Sequence, residues 1–257
     1  MDIRKGDKNS NGTPDFEDGH VPGAHSVAFA DVVTYEAANN AGNLPVVVAC
    51  YTGHDASHAV MALRLRGVST AKILKWGMSS WHSDFNIWAG GIGNKANDYP
   101  GSWSYDDSTP DLPSFAETPE LETGLEDGAA ILDKRINDAV LDGLNFVLNT
   151  EVLAAYEAFD IYTYWAKADW DQYGYPTGSY QITPHELGLD NLDILDPNAT
   201  NVFTCWSGQE ASMIAAWLNV LGYDARTLKY AANGMIYDDL QKGKWSAPAE
   251  LDYETGL

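Results

Sequence analysis

Basic residues, cysteines and long apolar runs are scarce in this chain of 257 residues. Its 37 acidic residues outnumber its 15 Lys and Arg residues, and the formal charge of −22 excludes nucleic acid and anionic membrane surfaces as partners, because like charges repel. No run of about eighteen apolar residues is present, so membrane insertion is not expected, and Met1 is followed by charged residues rather than by a signal peptide. Apolar residues make up 45% of the chain and include 9 Trp, which is enough for packed cores.

The two cysteines, Cys50 and Cys205, lie in stretches that repeat each other. Each stretch runs from an apolar strand through Cys-x-x-Gly-x-x-Ala-Ser into an apolar-periodic segment, and reaches Gly67 or Gly222 at the same distance. A single cysteine at a strand end is most often a small buried hydrophobe, but two in one frame favour a chemical role. A disulfide is the alternative, and it would require equivalent loops of separate domains to meet.

The similarity extends on both sides of the cysteines and predicts a tandem repeat of about a hundred residues. The predicted parts are a first domain over residues 1–105, a segment over 106–128 and a second domain over 129–257. The middle segment is acidic and contains three prolines, so it is predicted to be a linker or wrapping segment, with an ordinary acidic surface loop as the alternative.

The first half begins at "MDIR", whereas the second half has a predicted strand and helix over residues 146–159 before its "DIY". The first domain is therefore expected to lack its N-terminal strand and helix, or to borrow an element from elsewhere in the chain. The predicted helical stretch over residues 129–143 is the candidate for such an element.

Each half alternates strand and helix, which predicts an α/β fold with a mainly parallel sheet. Residues 46–49 are a continuous β-branched and apolar run, typical of a strand covered on both faces, and residues 56–65 have apolar side chains at helical spacing. Residues 202–204 and 211–221 repeat this pattern. Because ligands bind beyond the carboxyl ends of strands in such sheets, both cysteines stand where a site is expected.

Four motifs in order resemble those of rhodanese domains: "GHVPGAHSV", "CYTGHDAS", a helix ending in "LRG", and "LKWGMSSW". The second half keeps "CWSGQEAS" and "LGYDARTLKYAANGM", with "GYPTGS" as a degenerate form of the first motif. The resemblance implies two small α/β domains, each with a central, mostly parallel five-stranded sheet flanked by helices. It also implies sulfane-sulfur transfer through a cysteine persulfide, with a small sulfur donor and a thiol or other nucleophilic acceptor as partners.

The residue types of the two loops agree with that chemistry. Backbone N–H groups at a helix N-terminus lower a thiol pKa, and Gly53 and Gly208 would let each loop curl its amides around the sulfur. Cys50 is the expected nucleophile and Cys205 a second one. The residues predicted to bind substrate are Tyr51, Thr52, Gly53, His54 and Asp55 in the first loop and Trp206, Ser207, Gly208, Gln209 and Glu210 in the second.

Several of these loop residues have alternative interpretations. His54 is interpreted as a proton donor, a loop anchor or a solvent-facing side chain, while Tyr51 and Trp206 would line each pocket mouth or simply pack. Neither loop contains Arg or Lys, whereas Asp55 and Glu210 would raise the thiol pKa and disfavour an anionic donor such as thiosulfate. A phosphatase is disfavoured too, because Ala56 stands where a phosphate-binding Arg is expected.

The stretch "DKNSNGTPDFED" has the oxygen side chains of a calcium loop, with Gly12 where such a loop makes its sharp turn. The alternative is a polar turn rich in Asn, Asp and Gly that binds no metal. The predicted Ca²⁺ ligands are Asp7, Asn9, Asn11, the Thr13 carbonyl, Asp15 and Asp18.

Together these patterns predict a tandem rhodanese-like sulfurtransferase or persulfide carrier. The alternative is a non-catalytic, calcium-stabilised binding or sensory module on the same scaffold. Weak calcium sites are filled outside the cytosol, where the ion is millimolar, so a bacterial periplasmic or cell-surface location is expected. No organic cofactor is expected.

Overall fold

In the computed structural model, which describes residues 1–106 and 108–257, the chain divides into two units. The first unit contains Met1–Gly90, Leu125–Leu144 and Ser246–Leu257, and the second contains Gly91–Gly124 and Asn145–Trp245. The units thus divide the chain differently from the predicted stretches 1–105, 106–128 and 129–257. Asp107, which falls in the predicted linker, lies outside the described residues.

The first unit is built around short strands and two helices of 12 residues each. Its elements are α1 (Asp15–Asp18), α2 (Val32–Asn39), β1 (Val47–Val48), α3 (His54–Leu65), β2 (Lys72–Ile73) and α4 (Gly128–Ala139). Helix α4 corresponds to the helical stretch predicted over residues 129–143, and it groups with the first unit.

Parallel pairing in the first unit extends beyond its two named strands. β1 pairs with β2, and Asp2 forms parallel bridges with Ser26 and with Ala49. Val47 is 48% exposed while Val48 is fully buried, so the prediction that residues 46–49 are covered on both faces is wrong here. One face of this short strand packs on the core, and the other meets solvent.

Helix α3 follows the cysteine strand and anchors the core of the first unit. Ala56, Ala59, Val60 and Leu63 recur at helical spacing and are all fully buried, which makes one apolar face. Burying the Val and Leu side chains contributes roughly 1.5–3 kcal/mol each. The helix ends where Gly67 adopts a φ of +94°, a left-handed conformation that suits glycine.

The second unit has more regular structure. Its elements are β3 (Trp103–Ser104), β4 (Phe146–Val147), α5 (Asn149–Ala154), β5 (Asp160–Tyr164), α6 (Lys167–Tyr173), β6 (Tyr175–Pro176), β7 (Tyr180–Ile182), β8 (Thr200–Thr204), α7 (Gln209–Val220), β9 (Asp224–Leu228) and α8 (Ala231–Met235). Strand β4 and helix α5 match the strand and helix predicted over residues 146–159.

A central sheet in the second unit has the order β4-β9-β8-β5-β7, with every neighbouring pair parallel. Ile161 and Val202 point into one buried apolar cluster, while Tyr162 and Phe203, the next residues along the same strands, point into another. Because successive strand residues face opposite sides, the sheet is covered on both faces. The predicted α/β fold with a mainly parallel sheet is confirmed.

The acidic segment has no helix or strand in its described residues, 106 and 108–127. The part of this segment up to Gly124 belongs to the second unit. There the Phe115 N–H donates to the Asp193 carbonyl at 2.7 Å, and Ser114 Oγ donates to the Asp193 carboxylate at 3.0 Å. Within the described part of the chain, no helix has both the length and the apolar character needed to cross a membrane.

Candidate active site at the two cysteine loops

Cys50 lies just beyond β1, at the start of the turn into α3, and its side chain is almost completely buried. Gly53 stands before the helix with a φ of +89°, a conformation that an L residue adopts only with strain. The turn brings the Gly53 and Ala56 N–H groups to 3.0 and 3.3 Å from Cys50 Sγ. Backbone donors therefore surround the sulfur, as expected for an anion-binding turn.

Residues 77–79, which follow β2, pack against this turn and bind its carbonyl groups. Gly77 has a φ of +63°, and a Cβ atom there would lie 2.5 Å from the Cys50 carbonyl oxygen and 2.6 Å from Thr52 N. Met78 N–H donates to the Cys50 carbonyl at 2.8 Å, and Ser79 donates to the Tyr51 carbonyl through both its N–H and its hydroxyl. The motif "LKWGMSSW" thus fixes the backbone of the cysteine loop.

The other predicted substrate-binding residues of this loop differ in exposure. Thr52 and His54 are buried and 2.7 Å apart between Oγ1 and Nδ1, and the His54 ring stacks on Trp88 at 5.5 Å. His54 therefore anchors the loop and does not face solvent. Tyr51 and Asp55 are half-buried, so they are the loop side chains that a ligand would meet.

Burial and, to a smaller extent, the Asp55 carboxylate raise the pKa of the Cys50 thiol to about 12. The N–H groups of Ala56, Thr52 and Gly53 act in the opposite direction. The sulfur is therefore protonated at neutral pH, and the surrounding donors are poised to stabilise an anion that forms there during a reaction.

Cys205 has closely similar backbone geometry in the second unit. It follows β8, Gly208 has a φ of +84°, and the Gly208 N–H lies 3.2 Å from Cys205 Sγ. Burial and then Glu210 raise the pKa of this thiol, while the N–H groups of Ala211, Ser207 and Gly208 lower it. Both cysteines are free thiols, so the disulfide alternative is not realised. Ser207 and Gln209 are buried, whereas Glu210 is exposed.

The side chains that follow the two cysteines have different surroundings. Trp206 packs against Trp165 and Tyr173, with ring centroids 4.5 and 5.3 Å away, and a Cβ at Gly243 would meet its ring at 2.6 Å. Tyr51 instead lines a cavity of about 380 Å³ together with Phe85 and Tyr253. Trp206 is thus held in an aromatic cluster, whereas Tyr51 borders open space.

The predicted calcium loop precedes α1 and lines part of this cavity. The Asp7 carboxylate accepts the N–H groups of Asn11 and Gly12 at 2.9 and 2.7 Å, and Gly12 has a φ of +89°. Asn9 and Asn11 direct their amide nitrogens at Asp18. These groups are the oxygen-rich type that calcium binds, and carboxylates retain lone pairs beyond those already used.

The remaining predicted ligands of this loop occupy a half-buried and a buried position. Thr13 is half-buried at the turn, whereas Asp15 is buried and accepts hydrogen bonds from the Lys8 N–H and the Tyr51 hydroxyl. In the described residues no three His, Cys, Asp or Glu side chains converge as metal ligands. Calcium binding stays a prediction, and it would require the Asn9 and Asn11 amides to turn their oxygens inward.

Sequence reasoning missed three contributors to the first site: Gly77, Trp88 and Ser79. Trp88 Nε1 donates to the Thr52 carbonyl at 2.9 Å, and its ring also packs edge-on against Trp76. The glycine inside "LKWGMSSW" was the available sign of a close backbone approach. Nothing in the sequence indicated which carbonyls Trp88 and Ser79 would contact.

We expect Gly77→Ala to destabilise the first unit, because the new Cβ would overlap the backbone of residues 50–52 at a positive φ. The loss should be on the order of 2–4 kcal/mol in the free energy of unfolding, measured by chemical denaturation. Gly90→Ala is the matched control, since no atom lies within 4 Å of the position of its added Cβ. Equal stabilities of the two variants would contradict the close packing at Gly77.

We expect Asp55→Asn to lower the pKa of Cys50, because the substitution removes the carboxylate that adds to the effect of burial. A lower pKa gives more thiolate at a given mildly alkaline pH, so alkylation of Cys50 should start at lower pH than in the wild type. The measurement is the alkylation rate against pH, followed by mass spectrometry. Asp31→Asn, which changes an exposed carboxylate elsewhere in the unit, should leave the profile unchanged; a shift with both substitutions would show a nonspecific charge effect.

The first third of the chain is similar to a known protein family. Residues 1–84 match the family model of the rhodanese-like domain. A search of curated proteins gave no match. Two solved structures are similar at 16% sequence identity: a thiosulfate sulfurtransferase from Pseudomonas aeruginosa and a probable thiosulfate sulfurtransferase.

The alignment with the first of these covers 100% of this chain and 40% of that chain, and the alignment with the second covers 98% and 95%, each with a TM-score of 0.31. Residues 1–84, which include Cys50 and its loop, are the part of the chain that is similar to a rhodanese-like domain.

Proposed function

We propose that the protein is a sulfurtransferase or persulfide carrier that moves sulfane sulfur through Cys50, with Cys205 as a second site. The observation that carries this proposal is the ring of backbone N–H groups around the Cys50 sulfur at the start of α3. Such donors stabilise the anion that a sulfur nucleophile becomes, or the anion of a persulfide attached to it. The rhodanese-like match over residues 1–84 supports the same reaction class.

The proposed transfer needs no oxidant or reductant. The Cys50 sulfur attacks the outer sulfur of a donor R–S–SH, the S–S bond of the donor breaks, and R–S⁻ leaves with the bond electrons and takes up the proton lost by Cys50. The products are Cys50–S–SH and R–SH. An acceptor thiol then attacks the outer sulfur of Cys50–S–SH in the same way, which regenerates Cys50 as the thiol.

The surroundings of the two loops support Cys50 as the main nucleophile. The cavity beside Tyr51 offers a small molecule a place next to the Cys50 loop, while Trp206 is packed against Trp165 and Tyr173. The tandem arrangement of two rhodanese-like domains belongs to this proposal as well, and its support is the shared geometry of Gly53 and Gly208.

The second candidate is a binding or sensory module that does not catalyse sulfur transfer. The observation that favours it is the burial of both sulfurs, which keeps both thiols protonated at neutral pH. Under this alternative the cysteine loops would have only a structural role, and calcium would stabilise a surface used for attachment.

We expect incubation with a polysulfide, a donor with an S–S bond, to add the mass of one sulfur atom to the wild-type protein, and the dianion thiosulfate to react more slowly because Asp55 disfavours it. Cys50→Ser should abolish most of the addition, and Cys205→Ser should abolish only a minor part, as measured by intact mass and peptide mapping. Circular dichroism of both variants checks their folding. If no donor modifies the native protein although its thiols react after denaturation, the second candidate is favoured instead.

We also propose that the loop from Asp7 to Asp18 binds calcium, which would stabilise the first unit outside the cytosol. The spacing of its oxygen side chains and the positive φ of Gly12 support this proposal. An extracytoplasmic location is proposed with it.

Calcium at about a hundred times its dissociation constant should stabilise the folded protein by ~2.7 kcal/mol, because it would bind only the native state. Differential scanning calorimetry should therefore show a lower melting temperature in chelator than in calcium, and a much smaller effect of magnesium. Asp7→Ala should remove the calcium effect, and Asp31→Asn should retain it. Identical melting of the wild type with and without calcium would mean that the loop is a polar turn.

A further inference from the structure

A buried guanidinium lines the cavity beside Tyr51. Arg4 is 2% exposed. Its Nε and Nη2 atoms donate to the Asp2 carboxylate at 2.7–3.1 Å, and Nη2 also donates to the Gly19 carbonyl at 2.5 Å. Across the described residues, Arg4 Nη1 makes no hydrogen bond. Asp2 and Gly19 use the Nε and Nη2 donors of this guanidinium, which is always charged, so Nη1 is the donor that Arg4 offers to an anion in the cavity.

Lys8 adds a second positive charge to the same cavity. Its Nζ atom lies 3.4 Å from the centre of the Tyr51 ring, in cation–π contact, and the Arg4 guanidinium lies 5.9 Å from that ring and 5.3 Å from the ring of Phe85. Both cations are thus held against aromatic rings next to the Cys50 loop. Arg4 and Lys8 thus supply positive charge, which neither cysteine loop contains in its own sequence.

Carboxylates line the cavity as well. The Asp84 Oδ2 atom accepts the Tyr253 hydroxyl at 2.7 Å, and the Asp18 carboxylate accepts the amides of Asn9 and Asn11. A simple dianion would be repelled by these carboxylates, whereas a molecule that carries both charges would find a partner for each.

The remaining cavity wall is apolar, and the space suits a small molecule. Phe85, Ile87 and the ring of Tyr253 contribute to the lining, and the volume of about 380 Å³ lies within the range of small-ligand sites. Aromatic and aliphatic walls with a few charged groups fit a compact side chain attached to a charged head.

From these features we infer that the cavity binds a small zwitterion of the α-amino-acid class, with its carboxylate at Arg4 and Lys8 and its ammonium at Asp84. The inference rests on the proposed function for its meaning in catalysis: the donor R–S–SH would be an amino-acid persulfide, or the acceptor R–SH an amino-acid thiol. Tyr51 lines this cavity and follows Cys50 in the sequence, so the cavity lies beside the cysteine loop.

The test uses S-methylcysteine, which has the zwitterionic head but no reactive thiol. Isothermal titration calorimetry should show binding to the wild-type protein, and binding weaker by roughly tenfold or more for the analogues that lack the amine, 3-(methylthio)propionate, or the carboxylate, 2-(methylthio)ethylamine. Lys8→Met should weaken binding of the zwitterion and of the propionate, and Asp84→Asn should weaken binding of the zwitterion and of the amine.

Matched controls are Lys5→Met and Asp31→Asn, which change exposed charges of the same unit that do not line the cavity. Both controls should bind as the wild type does, and all four variants are expected to fold because the changed side chains are exposed. No binding of the zwitterion, equal binding of the three compounds, or equal effects of the cavity variants and their controls would overturn the inference.

A Cys50→Ser variant separates this inference from the proposed function. It should bind S-methylcysteine as tightly as the wild type, because the cavity does not include the sulfur. Binding without persulfide formation on the wild type would mean that the amino-acid site stands and the sulfur-transfer proposal fails. Persulfide formation without binding of the zwitterion would mean the reverse.

Discussion

The convergence of backbone N–H groups on a buried sulfur is the constraint around which the first unit is arranged. It requires a sharp turn between β1 and α3, and Gly53 makes that turn at a positive φ. It also requires the carbonyls of residues 50–52 to be bonded elsewhere, which Met78, Ser79 and Trp88 accomplish. Gly77 is needed because only a residue without a Cβ lets these two segments approach so closely.

Two opposing effects act on each sulfur, and burial is the larger. Removing a thiolate from water is costly, so desolvation raises the pKa more than the nearby N–H groups lower it. The donors therefore matter most when negative charge develops during a reaction or resides on a persulfide. A resting thiol of this kind is protected from indiscriminate oxidation, since the thiolate is the reactive form.

Local features of the fold were predictable because they are encoded by neighbouring residues. Apolar spacing indicated α3 and α7, the β-branched runs indicated β1 and β8, and the repeated frame indicated that Gly53 and Gly208 make the turns. Features that depend on distant contacts were not predictable, because no local pattern encodes which segment meets a given residue. They include the exposure of Val47, the stacking of His54 on Trp88, and the position of Lys8 over Tyr51. The cavity, which is lined by residues as distant in sequence as Arg4 and Tyr253, belongs to the same group.

Residues 246–257 belong to the first unit, although they follow all residues of the second unit in the sequence. His20 and Glu254 exchange backbone hydrogen bonds of 2.9 and 3.0 Å, and Tyr253 packs against Phe85 at 4.8 Å. The ribosome releases these residues only after the whole second unit has been made. The first unit therefore cannot close its structure until residues 246–257 have been made, whereas the second has all of its residues earlier. The second unit is expected to complete its folding before the first.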